Sequence, residues 1–345
     1  MMSSSSQITY RFKSVKRDFL VILCHTFLMI SLLTAAVFGW PLGTQTARIQ
    51  SSLDGAIQRA KYWVPQDVPE PVPLLVGLHT WSGDYDQSSG DAYLAECRTR
   101  GWAFIHPDFR GPNTRPEACG SELALTDIRD AVVWMQEQTQ IDPDRIYLVG
   151  VSGGGHAALM AAARWPTIWA AVSAWAPPTD LAAWYRETKA AGHPYWQHLS
   201  SVCGGAPGEN QNVDREYETR SPVYQLHRAA GVRIEIAEGI RDGYDGSVPV
   251  SHTLHAFNVL ACANGFESKQ IPENAIEEIV QTIQIPENLV SDPLEDSTYT
   301  KAVLFRRAAG PVRVTLFQGG HEILVPAAIT WLAQFDRKSR PSSVH

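Results

Sequence analysis

Three stretches of this chain hold residues whose types and spacing could carry out nucleophilic chemistry. The first is Gly150-Val151-Ser152-Gly153-Gly154. A serine hydroxyl is a poor nucleophile until a neighbouring base takes its proton. A Gly-x-Ser-x-Gly turn between a strand and a helix lifts that hydroxyl clear of the sheet edge, and its crowded backbone asks for neighbours without a Cβ. The surrounding sequence has that form: an apolar run at 145–149 (RIYLV) leads in and an Ala-rich helical pattern at 156–163 leads out. The start of that helix also favours negative charge nearby. A phosphate-cradling loop is the competing reading of glycines here, but neither Gly-x-Gly-x-x-Gly nor Gly-Lys-Ser/Thr is present. A Gly/Ser-rich turn without a function is the plain alternative, and the strand and helix on either side argue against it.

The second stretch supplies the base. Of the chain's eleven histidines, His321 stands in Gly319-Gly320-His321-Glu322, directly after the apolar run 312–317 and before a helical pattern at 327–335. Where serine, acid and histidine follow one another in that chain order, the histidine belongs on the loop after the last strand. His252 and His255 fall on a helical pattern and read as packing or surface residues, and His156 as the start of the helix after the serine. The acid belongs after the preceding strand, 232–237, where two aspartates compete. Asp242, at a Gly-x-x-Asp spacing and nearer the strand end, is the first choice; Asp245, in Asp-x-x-Val-Pro, is the alternative, and either could be a solvated turn residue. The chosen carboxylate must orient the imidazole and stabilise its cationic form. A third stretch, Gly77-Leu78-His79-Thr80-Trp81-Ser82-Gly83, follows an early strand. Its Thr80 or Trp81 N–H, with that of Gly153, is expected to hold a tetrahedral oxyanion, each such donor being worth about 3 kcal/mol. His79 and Trp81 could instead only pack and shape the pocket floor.

The elements that must position these residues are legible as alternating patterns. Apolar runs at 73–78, 102–105, 145–149, 169–175, 232–237 and 312–317 predict strands. Helical patterns at 91–100, 121–139, 156–163 and 327–335 lie between or after them. Strands alternating with helices imply a mostly parallel sheet covered by helices on both faces. Two stretches break the alternation. Residues 177–230, rich in Trp and Tyr, are expected to form a cap-like insertion beside the site; residues 264–301 form a second excursion. The expected domains are a signal peptide or membrane anchor at 1–39, a lead-in at 40–69 and a catalytic domain at 70–338. Arg11, Lys13, Lys16 and Arg17 precede an apolar run at 19–38, the pattern of a secretory signal, although that run is also long enough to span a bilayer. Export is the expectation, with a membrane contact only if the segment stays uncleaved. Beyond Cys24 the chain has Cys97, Cys119, Cys203 and Cys262, an even set that could pair in an oxidising compartment or serve as buried thiols. No spacing of His and Cys suggests a metal site. A formal net charge of −7, without basic clusters outside the N-terminus, argues against a nucleic-acid partner.

Residues 142–154, ending in Gly150-Val151-Ser152-Gly153-Gly154, resemble the nucleophile region of the prolyl oligopeptidase family catalytic domain. Asp108-Phe109-Arg110-Gly111 is similar to that family's Arg-Gly segment. Asp242, Val248-Pro249 and Gly320-His321 fall where the family places its acid, its Val-Pro and its histidine, with Gly243, Tyr244 and Asp245 inserted before the Val-Pro. The resemblance covers roughly residues 70–336. It implies an α/β-hydrolase fold and a serine hydrolase that cleaves a peptide or ester bond through an acyl-enzyme, needs no cofactor, and has Ser152, Asp242 and His321 as its triad. Two departures stand out. The family's His-Gly-Gly is His79-Thr80-Trp81 here, and only residues 40–72 occupy the place of the family's large N-terminal β-propeller. A stand-alone catalytic domain is also similar to secreted acetyl-xylan, feruloyl and polyhydroxyalkanoate esterases. A carboxylesterase is therefore the alternative to a peptidase. The eleven tryptophans would stack on sugars in the esterase reading or fill the core in either. A silent binding protein of the same fold is the third reading.

Overall fold

The computed structural model describes residues 39–69 and 71–338. The segment read as a signal peptide or anchor lies, up to residue 38, outside the described residues. Among the described residues no helix is long and apolar enough to cross a membrane.

The strands are β1 (Gln45–Gln50), β2 (Ile57–Trp63), β3 (Val72–Leu78), β4 (Ala103–Pro107), β5 (Ile141–Val151), β6 (Ala171–Trp175), β7 (Arg233–Gly239), β8 (Val303–Ala309) and β9 (Val312–Phe317). The helices that matter for the site are α1 (Gly90–Arg100), α2 (Glu122–Gln138), α3 (Gly153–Arg164), α4 (Leu181–Ala190), α5 (Tyr195–Cys203), α6 (Gln211–Arg220), α7 (Pro222–Gln225), α8 (Ser251–Ala263), α9 (Glu273–Thr282) and α10 (Val325–Leu332). Among the described residues the strands form one nine-stranded sheet in the order β1-β2-β4-β3-β5-β6-β7-β9-β8. The run from β4 to β9 is parallel, while β1, β2 and β8 pair antiparallel at the two edges.

Two-residue periodicity along the central strands explains why both faces are covered. Leu74, Val76 and Leu78 of β3 and Ile146 and Leu148 of β5 join one apolar cluster with α2, α3 and α8. Leu75, Tyr147 and Val149 join the other with α1 and α10. Successive strand side chains point to opposite faces, so a strand buried on both reads as a continuous apolar run. β3 is buried at every position for that reason. Helix α3 is buried at every residue but its last, as an Ala-rich helix lying against the sheet must be. Ser121 starts α2 by accepting the Ala124 N–H, and Asp180 starts α4 by accepting that of Ala183.

The stretch expected as a lead-in carries β1 and β2. Their mixed sequences, QTARIQ and IQRAKYW, bury little and so give no apolar run to read. Strand β8, VLFRRAA, escaped the sequence pattern for the same reason. Residues 177–230 fold into α4, α5, α6 and α7 with a short 3-10 turn. Cys97, Cys119, Cys203 and Cys262 are free thiols, the first three buried. In a parallel run every strand ends at the same sheet edge, which is where open α/β sheets hold their ligands. The residues after β3, β5, β7 and β9 therefore meet there.

Candidate active site

Ser152 follows the last residue of β5 and caps α3. Its backbone sits at φ 58°, ψ −123°, a region that non-glycine residues avoid. Such a conformation costs on the order of 1–3 kcal/mol and persists only where the surroundings impose it. Here they do: the Ser152 N–H donates to the Trp175 carbonyl at 2.8 Å, and the Ser152 carbonyl accepts from His156 N–H at 2.9 Å. The flanking glycines are required by contact. A Cβ on Gly150 would collide with the backbone of Gly154, and one on Gly153 would collide with the backbone of Trp81. The second of these contacts brings the Gly153 and Trp81 amides close together.

The acid and the base ride on adjacent strands. After β7 and β9 the two loops are tied by backbone bonds, Ile240 N–H to Phe317 and Arg241 N–H to Gly319, both 2.9 Å. Asp242 Oδ2 accepts from His321 Nδ1 at 2.6 Å, and Asp242 Oδ1 accepts from the N–H groups of Gly243 at 2.9 Å and Val248 at 3.2 Å. The carboxylate is buried while the imidazole is partly open. Asp245 is exposed and bonded to Arg241, away from the imidazole. The structure thus brings Asp242, and not Asp245, to His321. The three-residue insertion explains the late Val-Pro: the chain loops out through Gly243, Tyr244 and Asp245 and returns so that Val248 N–H reaches Asp242. Gly246 closes this loop against both partners, and a Cβ there would collide with Asp242 Oδ1 and His321 Cβ. Gly246→Ala is therefore expected to lower kcat by about 10²-fold, the order that follows from ångström-scale misplacement of a reacting group. Steady-state kinetics with a melting curve to confirm folding would check it, and unchanged kcat would count against the geometry.

Ser152 and His321 line one cavity of about 270 Å³, together with Thr80, Trp81, Ser82, Val151, Tyr195, Glu322 and Ile323. Among the described residues no hydrogen bond joins Ser152 to the free Nε2 of His321. Catalytic hydrogen bonds are often long before substrate binds. The Thr80 N–H is spent on Gln87 Oε1 at 2.8 Å. Among the described residues no acceptor engages the Trp81 N–H, so of the two expected donors Thr80 is occupied and Trp81 is available. His79 is fully buried between the carbonyls of Thr80 and Asp108 and stacked on Phe109 at 3.9 Å, so it holds this loop in place. Burial lowers its pKa. The Asp108-Phe109-Arg110-Gly111 segment is a buttress: Arg110 pairs with Asp127 at 2.5 Å and Asp54 at 2.7 Å, tying the β1–β2 connection to α2.

The insertion leans aromatic rings over the site. Trp184 of α4 packs edge-on against Trp81 at 4.6 Å and stacks on Tyr195 of α5 at 4.9 Å, and its indole N–H donates to the Ser247 carbonyl at 2.7 Å. Trp81 and Tyr195 line the cavity, while Trp169, Trp175 and Trp184 are fully buried. The core reading of those tryptophans therefore holds over sugar stacking.

The sequence of residues 93–272, just over half of the chain, matches the model of the prolyl oligopeptidase family. The chain belongs to the prolyl oligopeptidase family. This family member is 24% identical over 202 residues to acetylxylan esterase A of Emericella nidulans, over 56% of its own length and 58% of that protein's. Its fold is similar to that of a puromycin-hydrolysing peptidase of Mycobacterium tuberculosis (TM-score 0.56, 17% identity, 84% of this chain and 37% of that one). It is also similar to the acylaminoacyl peptidase of Pyrococcus horikoshii (TM-score 0.52, 16% identity, 69% and 37%) and to a thermostable esterase (TM-score 0.50, 15% identity, 86% and 64%). The chain thus spans less than two thirds of the length of each of these relatives. The α/β-hydrolase fold expected from the sequence stands.

Tyr195, Ile323 and Glu322 were not singled out from the sequence. Tyr195 and Ile323 sit in stretches without a motif, and Glu322, though next to His321, is held by Lys301 at 2.5 Å.

Proposed function

We propose that this prolyl oligopeptidase family member hydrolyses a peptide or ester bond through an acyl-enzyme on Ser152, with His321 as general base and acid and Asp242 as its orienting carboxylate. The observation that carries the reading is the bonded Asp242–His321 pair facing, in one cavity, a serine held in a strained conformation at a helix start. His321 Nε2 takes the Ser152 proton as the hydroxyl attacks the carbonyl carbon. The N–H groups of Gly153 and Trp81 receive the oxyanion, aided by the positive end of α3. His321 then protonates the leaving group, and water repeats the sequence in reverse to free the acid.

A small ester is the reading favoured for the acyl side. The whole cavity, with Val151, Tyr195 and Ile323 in its lining, holds about 270 Å³, below the usual range for a drug-sized ligand, which suits a small substrate. The acetylxylan esterase relative supports the same choice; the family match supports the peptide arm. The test is turnover of a p-nitrophenyl ester series of increasing acyl length beside proline-containing peptide amides. Acetate and propionate esters are expected to give the highest kcat/KM, falling by about tenfold for each pair of methylenes that the cavity cannot enclose. Cleavage of the peptides alone would reverse the choice.

A further inference from the structure

We propose that Glu238, which no step of the mechanism uses, is a positioning residue: a carboxylic acid kept protonated behind Asp242, donating its hydrogen bond to the Asp242 carboxylate. This deepens the reading of Ser152, Asp242 and His321 as catalytic and rests on it. Glu238 lies near the end of β7, four positions before Asp242, and is 0% exposed. Neither of its carboxyl oxygens receives a backbone N–H among the described residues, and the Thr253 hydroxyl of α8 is the one neutral donor beside it. Its other near neighbour is the carboxyl of Asp242.

Two carboxyl groups in contact and out of water cannot both be ionised. The donors decide which one holds the charge. Asp242 accepts from His321 Nδ1, Gly243 N–H and Val248 N–H; Glu238 has only the Thr253 hydroxyl beside it. The ionised group is therefore Asp242 and the proton sits on Glu238. The other charges nearby point the same way. Glu187 on α4, held by His252 Nε2 of α8 at 2.8 Å, adds negative charge, and among the described residues no cation pairs with Glu238. Burial, with Asp242 next in importance, pushes the Glu238 carboxyl well above its ordinary range. A neutral donor on Asp242 fixes the carboxylate plane with Oδ2 toward His321 and withdraws part of its charge.

Glu238→Gln and Glu238→Leu in the full chain test this. The Gln variant keeps a neutral donor. Its kcat/KM against p-nitrophenyl acetate is expected within about threefold of wild type, with the acid limb of the pH profile in place. The Leu variant removes the donor. Its kcat is expected to fall about tenfold at unchanged KM, as when a supporting hydrogen bond is lost, and its acid limb to move to higher pH because an unrelieved Asp242 charge favours the imidazolium. Stability gives a readout independent of activity. A carboxyl whose folded pKa is raised retains its proton while the unfolded chain releases it above the ordinary value of 4.5. Wild type should therefore lose stability relative to the Gln variant as pH rises from 4.5 toward the folded pKa. The melting-temperature gap between the two should grow over that range. Infrared difference spectra between them should show a protonated carboxyl at neutral pH.

An acid limb that moves down in the Gln variant, a melting-temperature gap flat with pH, or no protonated-carboxyl band would mean Glu238 is ionised and overturns the proposal. If the Leu variant fails to fold, the Gln variant still decides by these measures. Loss of the underlying reading is separable. Undiminished turnover by Ser152→Ala sinks it whatever the Glu238 variants do. An inactive Ser152→Ala beside a folded Leu variant matching wild type in kcat and profile sinks only the Glu238 role.

Discussion

Replacing Ser152 with alanine is expected to lower kcat by about 10⁶-fold, with KM nearly unchanged. The side chain removed is the one atom that makes and breaks the covalent bond, and of the hydroxyl-bearing residues lining the cavity only Ser152 sits on the glycine-flanked turn that opens α3. Thr80 has its amide and hydroxyl committed to Gln87, at 2.8 Å each. The residue left behind still has the Gly153 and Trp81 amides, so the variant should retain about 10³-fold acceleration over the uncatalysed reaction. A fluorophosphonate probe gives the same answer without substrate. Wild type should be labelled on the peptide containing Ser152 and the variant not at all. Alanine at this position also relieves no packing and adds no volume, and like serine it must hold the left-handed φ. Folding is therefore expected to survive, and circular dichroism would check it. A variant that kept more than about 1% of wild-type kcat would remove Ser152 from the chemistry and with it the acyl-enzyme. A wild-type protein that neither labels nor turns over any ester or peptide would favour the silent binding reading.

How much of this was legible in the sequence differs from part to part. The central strands were, because a parallel strand buried on both faces cannot avoid being an apolar run, as with PLLVGL and RIYLV. The edges were not: β1, β2 and β8 expose one face to water and carry Gln, Arg and Lys, so their sequences look like loops. Ser152 was legible because steric demands restrict its neighbours to glycine, and His321 because it lies on the loop after the last strand. Gly150 and Gly153 are enforced by backbone contacts that no other residue tolerates. Asp242 could be narrowed only to one of two, because both aspartates sit in a turn and the difference lies in which oxygens the returning chain supplies with donors. Val248 N–H makes that choice from six residues away. Tyr195 had no signal at all, since its place over the cavity comes from Trp184 stacking on it across two helices. Glu238 was hidden differently: in IEIAEG a glutamate in a strand reads as an outward-facing residue, and only the sheet order turns it inward.

The pair Asp242→Asn and Asp245→Asn should separate by about 10⁴-fold in kcat, the former losing that factor and the latter nothing measurable. The asymmetry follows from hydrogen-bond polarity. Asp242 Oδ1 accepts two backbone N–H groups, so an asparagine there must keep its carbonyl oxygen on that side. Its amide NH₂ then faces His321 Nδ1, where Asp242 Oδ2 accepted at 2.6 Å. A donor in that position forces Nδ1 to accept and drives the ring proton to Nε2, the nitrogen that has to take the serine proton. The base is thus present, correctly placed and already occupied. No imidazolium partner remains either, because the amide carries no charge to stabilise it. Asp245→Asn removes only an exposed, solvent-screened pair with Arg241 that is unrelated to the imidazole. Steady-state kinetics at pH 7–8 would read both. A fall in Asp245→Asn with Asp242→Asn unaffected would exchange their roles and require the 243–245 loop to fold back on His321. Equal losses would point to the loop's shape, rather than the identity of either carboxylate, as what orients the base.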